Sequence, residues 1–431
     1  MFYRVKVKEN IMVRFLIEQS LNLKGDIYIE GAKNSCLPIL AACILSNGNV
    51  IIKRVPFLSD INIMCNLLKE IGITVNKDLI NKTLNINTKN IFNKQVSYEL
   101  VKKIRASFLL AGPLLARFGK VSIQMPGGCA IGVRPIDLHL KGFKALGAEI
   151  IQEHGVIEIN AKNGLIGTEI YLDFPSVGAT ENIIMASVLA KGETIVSNCA
   201  TEPEIVDLIE FLNKMGAKIE GGGTETIKIK GVDSLNNCTH TIIPDRIEAG
   251  TFLVLGAATK GEINIFNINC EHLKAITSKL KEINVDIEEK DNLIKVYSKN
   301  IFKNVDIKTM PYPGFPTDMQ PQFMSLMSIV NGTSIINETI FENRFMHASE
   351  LSLMGANIKV EGSSAIISGV EKITGSKVKA TDLRAGAALI IAGLCAEGVT
   401  EISDIYHIER GYYNIEEKLK NIGAKIKKIR V

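Results

Sequence analysis

Residues 126–139 read Pro-Gly-Gly-Cys-Ala-Ile-Gly-Val-Arg-Pro-Ile-Asp-Leu-His, which sets one thiol, Cys129, among glycines with Arg134 and Asp137 close behind. Glycine frees the backbone there and Pro126 and Pro135 fix the ends, which predicts a mobile loop carrying the thiol. A thiol near its ordinary pKa of about 8.5 is mostly protonated at neutral pH and can donate a proton. A neighbouring arginine pulls that pKa down and favours the nucleophilic thiolate. A surface turn with a stray cysteine is the plainer explanation of the loop taken alone, and the rest of the chain decides against it. Polar motifs of a second kind open the apolar helical runs. They are Gly31-Ala32-Lys33-Asn34, Lys103-Ile104-Arg105-Ala106-Ser107, Ser176-Val177-Gly178-Ala179-Thr180, Asp245-Arg246-Ile247-Glu248, Pro316-Thr317-Asp318-Met319 and Asp382-Leu383-Arg384-Ala385. Helix starts offer free N–H groups and partial positive charge, a ready site for anions. Capping accounts for several of the Ser, Thr and Asp residues. It does not account for Lys33, Arg105, Arg246 and Arg384, which together point to phosphate and carboxylate binding.

The elements that position these motifs form a repeat. The phrase "apolar, Gly-Ala, polar, Ile" occurs at Leu146–Ile150, Met215–Ile219, Met354–Ile358 and Ile422–Ile426, with weaker copies at Ile71-Gly72-Ile73 and Ile283-Asn284-Val285. The turn positions 72, 147, 216, 284, 355 and 423 are spaced by 75, 69, 68, 71 and 68 residues. Six units of about seventy residues therefore tile the chain. Asn284 replaces glycine where a left-handed helix cap permits it. Within each unit a polar motif precedes an apolar helix such as Ala387–Ala396, then a strand, an amphipathic helix such as Ile205–Met215, the turn, and a strand pair. This reads as α/β units of βαβαββ type with buried first helices. Five units keep 37–39 residues between motif and turn (Asn34 to Gly72, Gly178 to Gly216, Arg246 to Asn284, Asp318 to Gly355, Arg384 to Gly423), and the second has 42, Arg105 to Gly147. The extra residues fall at Gly127–Gly132, so the cysteine loop is an insertion on a repeated scaffold, where function tends to sit. Arg134 and Arg410 each lie 13 residues before their turn glycine, so they occupy equivalent places.

Composition narrows the class. A chain of 431 residues with 46% hydrophobic and 22% charged residues is a globular protein of two domains. A net charge of +4 gives no mandate for nucleic acid or membrane binding. The basic end, Lys425–Arg430, alternates with isoleucine and reads as a solvated strand. Eight cysteines without C-x-x-C spacing argue against a zinc site or disulfide framework and suit a reducing cytoplasm. No signal peptide or membrane-spanning run is read, and Met12 is an alternative start.

The Pro-Gly-Gly-Cys loop, Gly-Ala-Lys-Asn at 31–34, Arg-Pro-Ile-Asp-Leu-His at 134–139, Phe-Pro-Thr-Asp-Met-Gln at 315–320 and Glu-Asn-Arg-Phe-Met-His at 342–347 together closely resemble the UDP-N-acetylglucosamine 1-carboxyvinyltransferase family of enolpyruvyl transferases. The resemblance runs from about Gly31 to Ile426. It implies a two-domain, inside-out α/β barrel of six βαβαββ repeats, three per domain, with substrates bound between them. One domain would be 33–243 and the other 1–32 plus 244–431. The implied reaction moves the enolpyruvyl group of phosphoenolpyruvate to the 3-hydroxyl of UDP-N-acetylglucosamine and releases phosphate, opening peptidoglycan precursor synthesis. The related shikimate-pathway enolpyruvyl transferase is the alternative enzyme, and the loop cysteine and Arg-Pro-Ile-Asp-Leu count against it. A non-catalytic nucleotide-sugar module is the alternative of another class, and Cys129, Asp318 and the basic set count against that.

The resemblance assigns roles residue by residue. Cys129 is the general acid and can form an adduct with phosphoenolpyruvate. Asp318 is the base or the group that orients the hydroxyl. Lys33, Arg134 and Arg410 form the phosphate and carboxylate clamp, with Arg344 and Arg384 assisting and Asn34 facing the sugar. Arg105, Arg134, Pro135, Ile136, Asp137, Leu138, Ser176, Val177, Gly178 and Ile340 correspond to contacts of the UDP-sugar. Phe174 departs from the pattern, standing where some members carry a lysine. His139, His347 and His407 are read as structural, the methionines of 319–327 as core, and no metal or cofactor is implied. An electrophilic phosphonate such as fosfomycin, which alkylates this cysteine in the resembling family, is expected to label Cys129 alone among the eight thiols, and faster with UDP-N-acetylglucosamine present. Peptide mass mapping after short exposure checks this. Labelling spread over Cys36, Cys199 or Cys270, or indifferent to the sugar, would show that Cys129 has no special environment.

Overall fold

The computed structural model describes residues 13–92, 98–125, 131–132, 135–298 and 300–430. Cys129 and Arg134 therefore lie outside the described residues, as does Met12. The repeats appear as six small sheets. In the third, Glu169–Tyr171 runs parallel to Glu193–Ser197, which is antiparallel to Thr226–Lys230, itself antiparallel to Lys218–Glu220. Helix Val177–Ser187 joins the two parallel strands and helix Pro203–Lys214 leads to the hairpin. That is the βαβαββ order. Five sheets have four strands, and the second unit shows three among the described residues.

The turn that ends each second helix is left-handed in all six units. Gly72, Gly147, Gly216, Gly355 and Gly423 have φ of 88°, 94°, 105°, 93° and 95°, and Asn284 has 77°. Asparagine tolerates this conformation because its short polar side chain bonds locally; here its Nδ2 donates to the Ile301 carbonyl. The first helices are buried nearly all round, as their continuous apolar runs require. Leu383–Cys395 is buried from Arg384 to Leu394, and Arg246–Ala258 from Ile247 to Ala258. They pack into two hydrophobic cores. One runs from Ala32 to Ile242; the other joins Phe15–Ile29 to Ile247–Ile426.

The chain crosses between the cores twice, and the crossings lie side by side. Lys24–Tyr28 pairs parallel with Glu262–Phe266, and Val13–Glu18 sits between Val399–Ser403 and Ile426–Arg430. Within the first half Cys238–Thr241, just before the second crossing, pairs parallel with Asn49–Lys53. Between these strands Ala32 N–H donates to the Ile243 carbonyl at 2.7 Å, and Asp245 N–H to the Glu30 carbonyl at 3.0 Å. A Cβ on Gly31 would lie 2.0 Å from the Arg54 carbonyl oxygen, so only glycine lets the crossing pass so close. Charges hold the crossing from both sides, with Glu30 accepting from Lys82 of the first half and pairing with Lys418 of the second.

Gly147→Ala isolates the cost of the left-handed turn, because a Cβ there meets nothing within 4 Å. The variant is expected to lose roughly 1–2 kcal/mol of stability, read as a lower urea midpoint with unchanged slope, and Gly147→Asn to lose less.

Candidate active site

Two helix starts and one loop bring charged side chains together between the halves. Lys33 opens helix Lys33–Ala42 and is buried, while Asn34 beside it is exposed. Asp60, at the start of helix Ser59–Glu70, accepts from Lys33 Nζ at 3.3 Å. From the other half, Arg410 closes a fork on Asp60: Nε to Oδ1 at 2.9 Å and Nη2 to Oδ2 at 3.3 Å. Burial pushes the Lys33 ammonium down, Asp60 opposes this, and the charges of Arg384 and Arg410 push it further down. Asp60 is 5% exposed at its side chain and Arg410 37%, so the pair has one buried and one open face.

The second cluster centres on Asp318, in the turn Thr317–Met319 that leads into helix Gln320–Met327. Arg344 Nη2 donates to Oδ1 at 2.9 Å, and Arg384 Nε and Nη2 donate to Oδ2 at 3.1 and 3.0 Å. Both guanidiniums are buried, and the carboxylate is 27% exposed. Arg384 is held from behind by the buried Tyr412 hydroxyl, 3.2 Å from Nη1. That hydroxyl also meets Thr251 Oγ1 at 2.9 Å and Gln322 Nε2 at 3.4 Å. Three first helices of the second half are thereby tied at one atom. The turn Ile408–Arg410 packs on the start of helix Leu383–Cys395, where a Cβ on Gly386 would lie 2.3 Å from Ile408 Cγ1 and one on Gly411 2.3 Å from Leu383 Cδ1, so the two clusters stand on touching elements.

The candidate nucleotide-sugar stretches converge in the first half. Asn182 Nδ2 donates to the Phe108 carbonyl at 3.0 Å and contacts His139 Nδ1 at 2.9 Å, and its Oδ1 accepts from Gly112 N–H at 2.8 Å. It binds together the helical turn Arg105–Leu110, helix Asp137–Ala145 and helix Val177–Ser187. Ser176 caps the last of these, accepting from Ala179 N–H. A Cβ on Gly178 would sit 3.2 Å from His139 Cε1, so the start of helix Val177–Ser187 lies against helix Asp137–Ala145 at His139. Burial, assisted by the charge of Arg105, pushes His139 down to about 3, which makes it a neutral packing and hydrogen-bonding group. Pro135 and Asp137 are exposed, Ile136 and Leu138 half-buried. Ile340 lies in the second half, its N–H donating to Glu338 Oε1 at 2.9 Å.

The structure corrects one expectation and adds two residues. Arg246 does not offer an open anion site. It forks onto Glu204 of the first half, with Nε to Oε1 at 3.0 Å and Nη2 to Oε2 at 3.4 Å, and lies over the Tyr312 ring. Its charge is neutralised in joining the halves. Asp60 and Tyr412 carry no local signature, since each acts on partners far along the chain. Arg344 and Arg384 bear directly on Asp318, so the clamp and the candidate base are one assembly. His347 is buried, with both ring nitrogens unpaired, and burial lowers it to about 4. His407 is lowered too, first by burial and then by Arg410. Phe174 is half exposed beside Ser176. Burial raises the thiols of all seven described cysteines, to about 11 for Cys65 and Cys238 and about 12 for Cys199 and Cys395. No group of His, Cys, Asp and Glu among the described residues could hold a metal ion. No helix among them is long and apolar enough to cross a membrane.

Residues 17–419 match the family described as EPSP synthase (3-phosphoshikimate 1-carboxyvinyltransferase). The chain is 57% identical over 413 residues to UDP-N-acetylglucosamine 1-carboxyvinyltransferase 1 of Caldanaerobacter subterraneus subsp. tengcongensis, covering 96% of this chain and 99% of that one. It is 54% identical over 417 residues to UDP-N-acetylglucosamine 1-carboxyvinyltransferase of Finegoldia magna, covering 96% and 98%. Among solved structures, the enolpyruvyl transferase NikO of Streptomyces tendae superposes with a TM-score of 0.89 at 23% identity, over 98% of this chain and 100% of that one. An EPSP synthase of Acinetobacter baumannii superposes at 0.76 and 17%, over 97% and 100%. The two structures share the fold.

Asp60→Asn tests the first cluster. Asp60 is the main charge keeping Lys33 protonated against burial, so its loss leaves the ammonium easier to deprotonate. Affinity for inorganic phosphate, followed by calorimetry across pH, should be lost at lower pH in the variant than in the parent. An unchanged alkaline limb would show that Asp60 does not govern Lys33.

Proposed function

Because the chain belongs to the enolpyruvyl transferases of the EPSP synthase family, we infer that it transfers the enolpyruvyl group of phosphoenolpyruvate to the 3-hydroxyl of UDP-N-acetylglucosamine. The observation that carries this reading is the joint of the two halves, where Lys33 and Arg410 share Asp60, and Arg344 and Arg384 share Asp318. Phosphoenolpyruvate presents a phosphate and a carboxylate, and Arg forks match both. The relatives named for this reaction match nearly end to end at more than half identity.

In this reading the hydroxyl oxygen adds to C2 of the donor while C3 gains a proton. The C2–O bond to phosphate then breaks and C3 gives a proton back, leaving an enol ether and inorganic phosphate. Cys129 supplies the proton to C3, and Asp318 takes the proton of the hydroxyl. Lys33, Arg134 and Arg410 hold the oxyanions, assisted by Arg344 and Arg384, and Asn34 meets the sugar. Arg105, Arg134–Leu138, Ser176–Gly178 and Ile340 hold the UDP-sugar. Asp318 needs exposure to reach a hydroxyl and rigidity to aim at it; its partial exposure and its two arginine partners suit both needs. The working domains are 33–243 and 1–32 with 244–431, a division supported by the two hydrophobic cores. The place of work is the cytoplasm, which supplies both substrates and suits seven unpaired described cysteines. The product feeds peptidoglycan synthesis.

Mixing the protein with phosphoenolpyruvate and each acceptor in turn tests the reading. Phosphate release is expected with UDP-N-acetylglucosamine, and release with shikimate 3-phosphate instead would overturn it. Asp318→Asn should lower turnover by about 10²–10⁴-fold, the usual worth of general-base help, in a folded protein. Near-normal turnover would reduce Asp318 to an anchor for the two arginines.

A further inference from the structure

Glu338 follows strand Thr333–Asn337 and is 3% exposed. Both of its carboxylate oxygens accept hydrogen bonds. Oε1 takes the Thr309 hydroxyl at 2.8 Å, the Ile340 N–H at 2.9 Å and the Phe341 N–H at 3.3 Å. Oε2 takes the Thr317 hydroxyl at 2.8 Å. Its own N–H donates to the Ser363 carbonyl at 2.8 Å, which roots it in the hairpin of its sheet. Thr309 extends the tie by accepting from Thr339 N–H at 2.9 Å and taking the Thr339 hydroxyl on its carbonyl at 2.6 Å. One side chain thus joins three segments: the strand end at 309, the turn Thr317–Met319 that carries Asp318, and the stretch 340–344 that carries Ile340 and Arg344.

A buried carboxylate is costly to desolvate and is retained where its hydrogen bonds are numerous and well formed. An apolar side chain could close a core at less cost. What it could not do is accept from a hydroxyl on one segment and two backbone amides on another at once. The two ends of this tie are the neighbour of the candidate base and the neighbour of a candidate sugar contact. We propose that Glu338 is a positioning residue that sets Asp318 and Ile340 at a fixed separation, so that the acceptor sugar held by one presents its hydroxyl to the other. The proposal rests on the enolpyruvyl-transfer reading for its kinetic consequences, though not for its geometry. Of the donor clamp, Lys33 and Arg410 with their partner Asp60 lie on other segments, and the assisting Arg344 is the member that lies on the tied stretch.

Three variants and three kinds of measurement test it. In Glu338→Ala, exchange of the Ile340 and Phe341 amides in the free protein should quicken at least about tenfold, since both lose their acceptor. Equal exchange would overturn the proposal whatever the substrate is. In turnover the same variant should raise KM for UDP-N-acetylglucosamine and lower kcat, each about tenfold, the scale of a misplacement under 1 Å. KM for phosphoenolpyruvate should move less than about threefold. Glu338→Gln should recover most of the loss, because its oxygen keeps the bonds of Oε1 and the Thr317 hydroxyl can turn to accept from the amide. Thr317→Val removes only the bond on the Asp318 side while keeping the side-chain shape. It should lower kcat several-fold with wild-type melting temperature and sugar KM. Wild-type kcat in Thr317→Val, or a loss in Glu338→Ala shared equally by both substrates, would overturn the positioning role, and the Thr317 variant decides the matter should Glu338→Ala fail to fold. Absence of turnover in the parent protein would instead sink the enolpyruvyl-transfer reading and leave the exchange result standing.

Discussion

The site depends on a carboxylate that two cations from opposite halves share. Like charges 4–6 Å apart at an effective dielectric of 20 repel by about 3–4 kcal/mol, so Lys33 and Arg410 could not be brought together in the dry joint alone. Asp60 makes their approach favourable, and Asp318 does the same for Arg344 and Arg384. The assembly is thus prepared for anions without being saturated by its own acids: cations outnumber carboxylates, and Arg410 and Asp318 keep exposed faces. A phosphate or carboxylate arriving there meets oriented donors, and little reorganisation remains.

The repeated architecture explains why these groups meet at all. Each unit buries its first helix behind a polar start, and this shared packing brings Lys33 onto Asp60 and Arg384 onto Asp318. The units then diverge by chemistry. Lys33 and Arg384 serve the charged centre, Ser176 caps a helix beside the nucleotide-sugar stretches, and Arg246 locks to Glu204 and holds the halves together. Buried polar side chains set the spacing behind each start: Asn182 in the first half, and Tyr412 with Thr251 and Gln322 in the second.

Much of this was legible because it is local. A glycine or asparagine after a helix records a left-handed turn, and the six positions read from the repeated phrase all have positive φ. The apolar runs foretold buried helices, and the basic end alternates as an outer strand should. What escaped is long-range. Asp60 looks like an ordinary first-turn acid until Arg410, 350 residues away, closes on it. Arg246 looked open because Glu204 belongs to another unit. Glu338 reads as the end of a strand. The closing of each half by a strand from far along the chain has no sequence signature either, since Lys24–Tyr28 and Cys238–Thr241 resemble any other edge strand.

That closing of each half also sets an order of events during synthesis. Val13–Glu18 completes its sheet only when Val399–Ser403 and Ile426–Arg430 have been made. At the usual 5–20 residues per second the first strand waits on the order of 20–80 s for partners at the far end of the chain. The first half suffers no such delay, because its closing strand, Cys238–Thr241, follows directly on its last helix and hairpin. The halves therefore mature in sequence, and an apolar segment containing Phe15 and Ile17 stays without its sheet through most of translation. Its flanking Arg14 and Glu18 are the kind of charged neighbours that keep such a segment from pairing with the wrong edge.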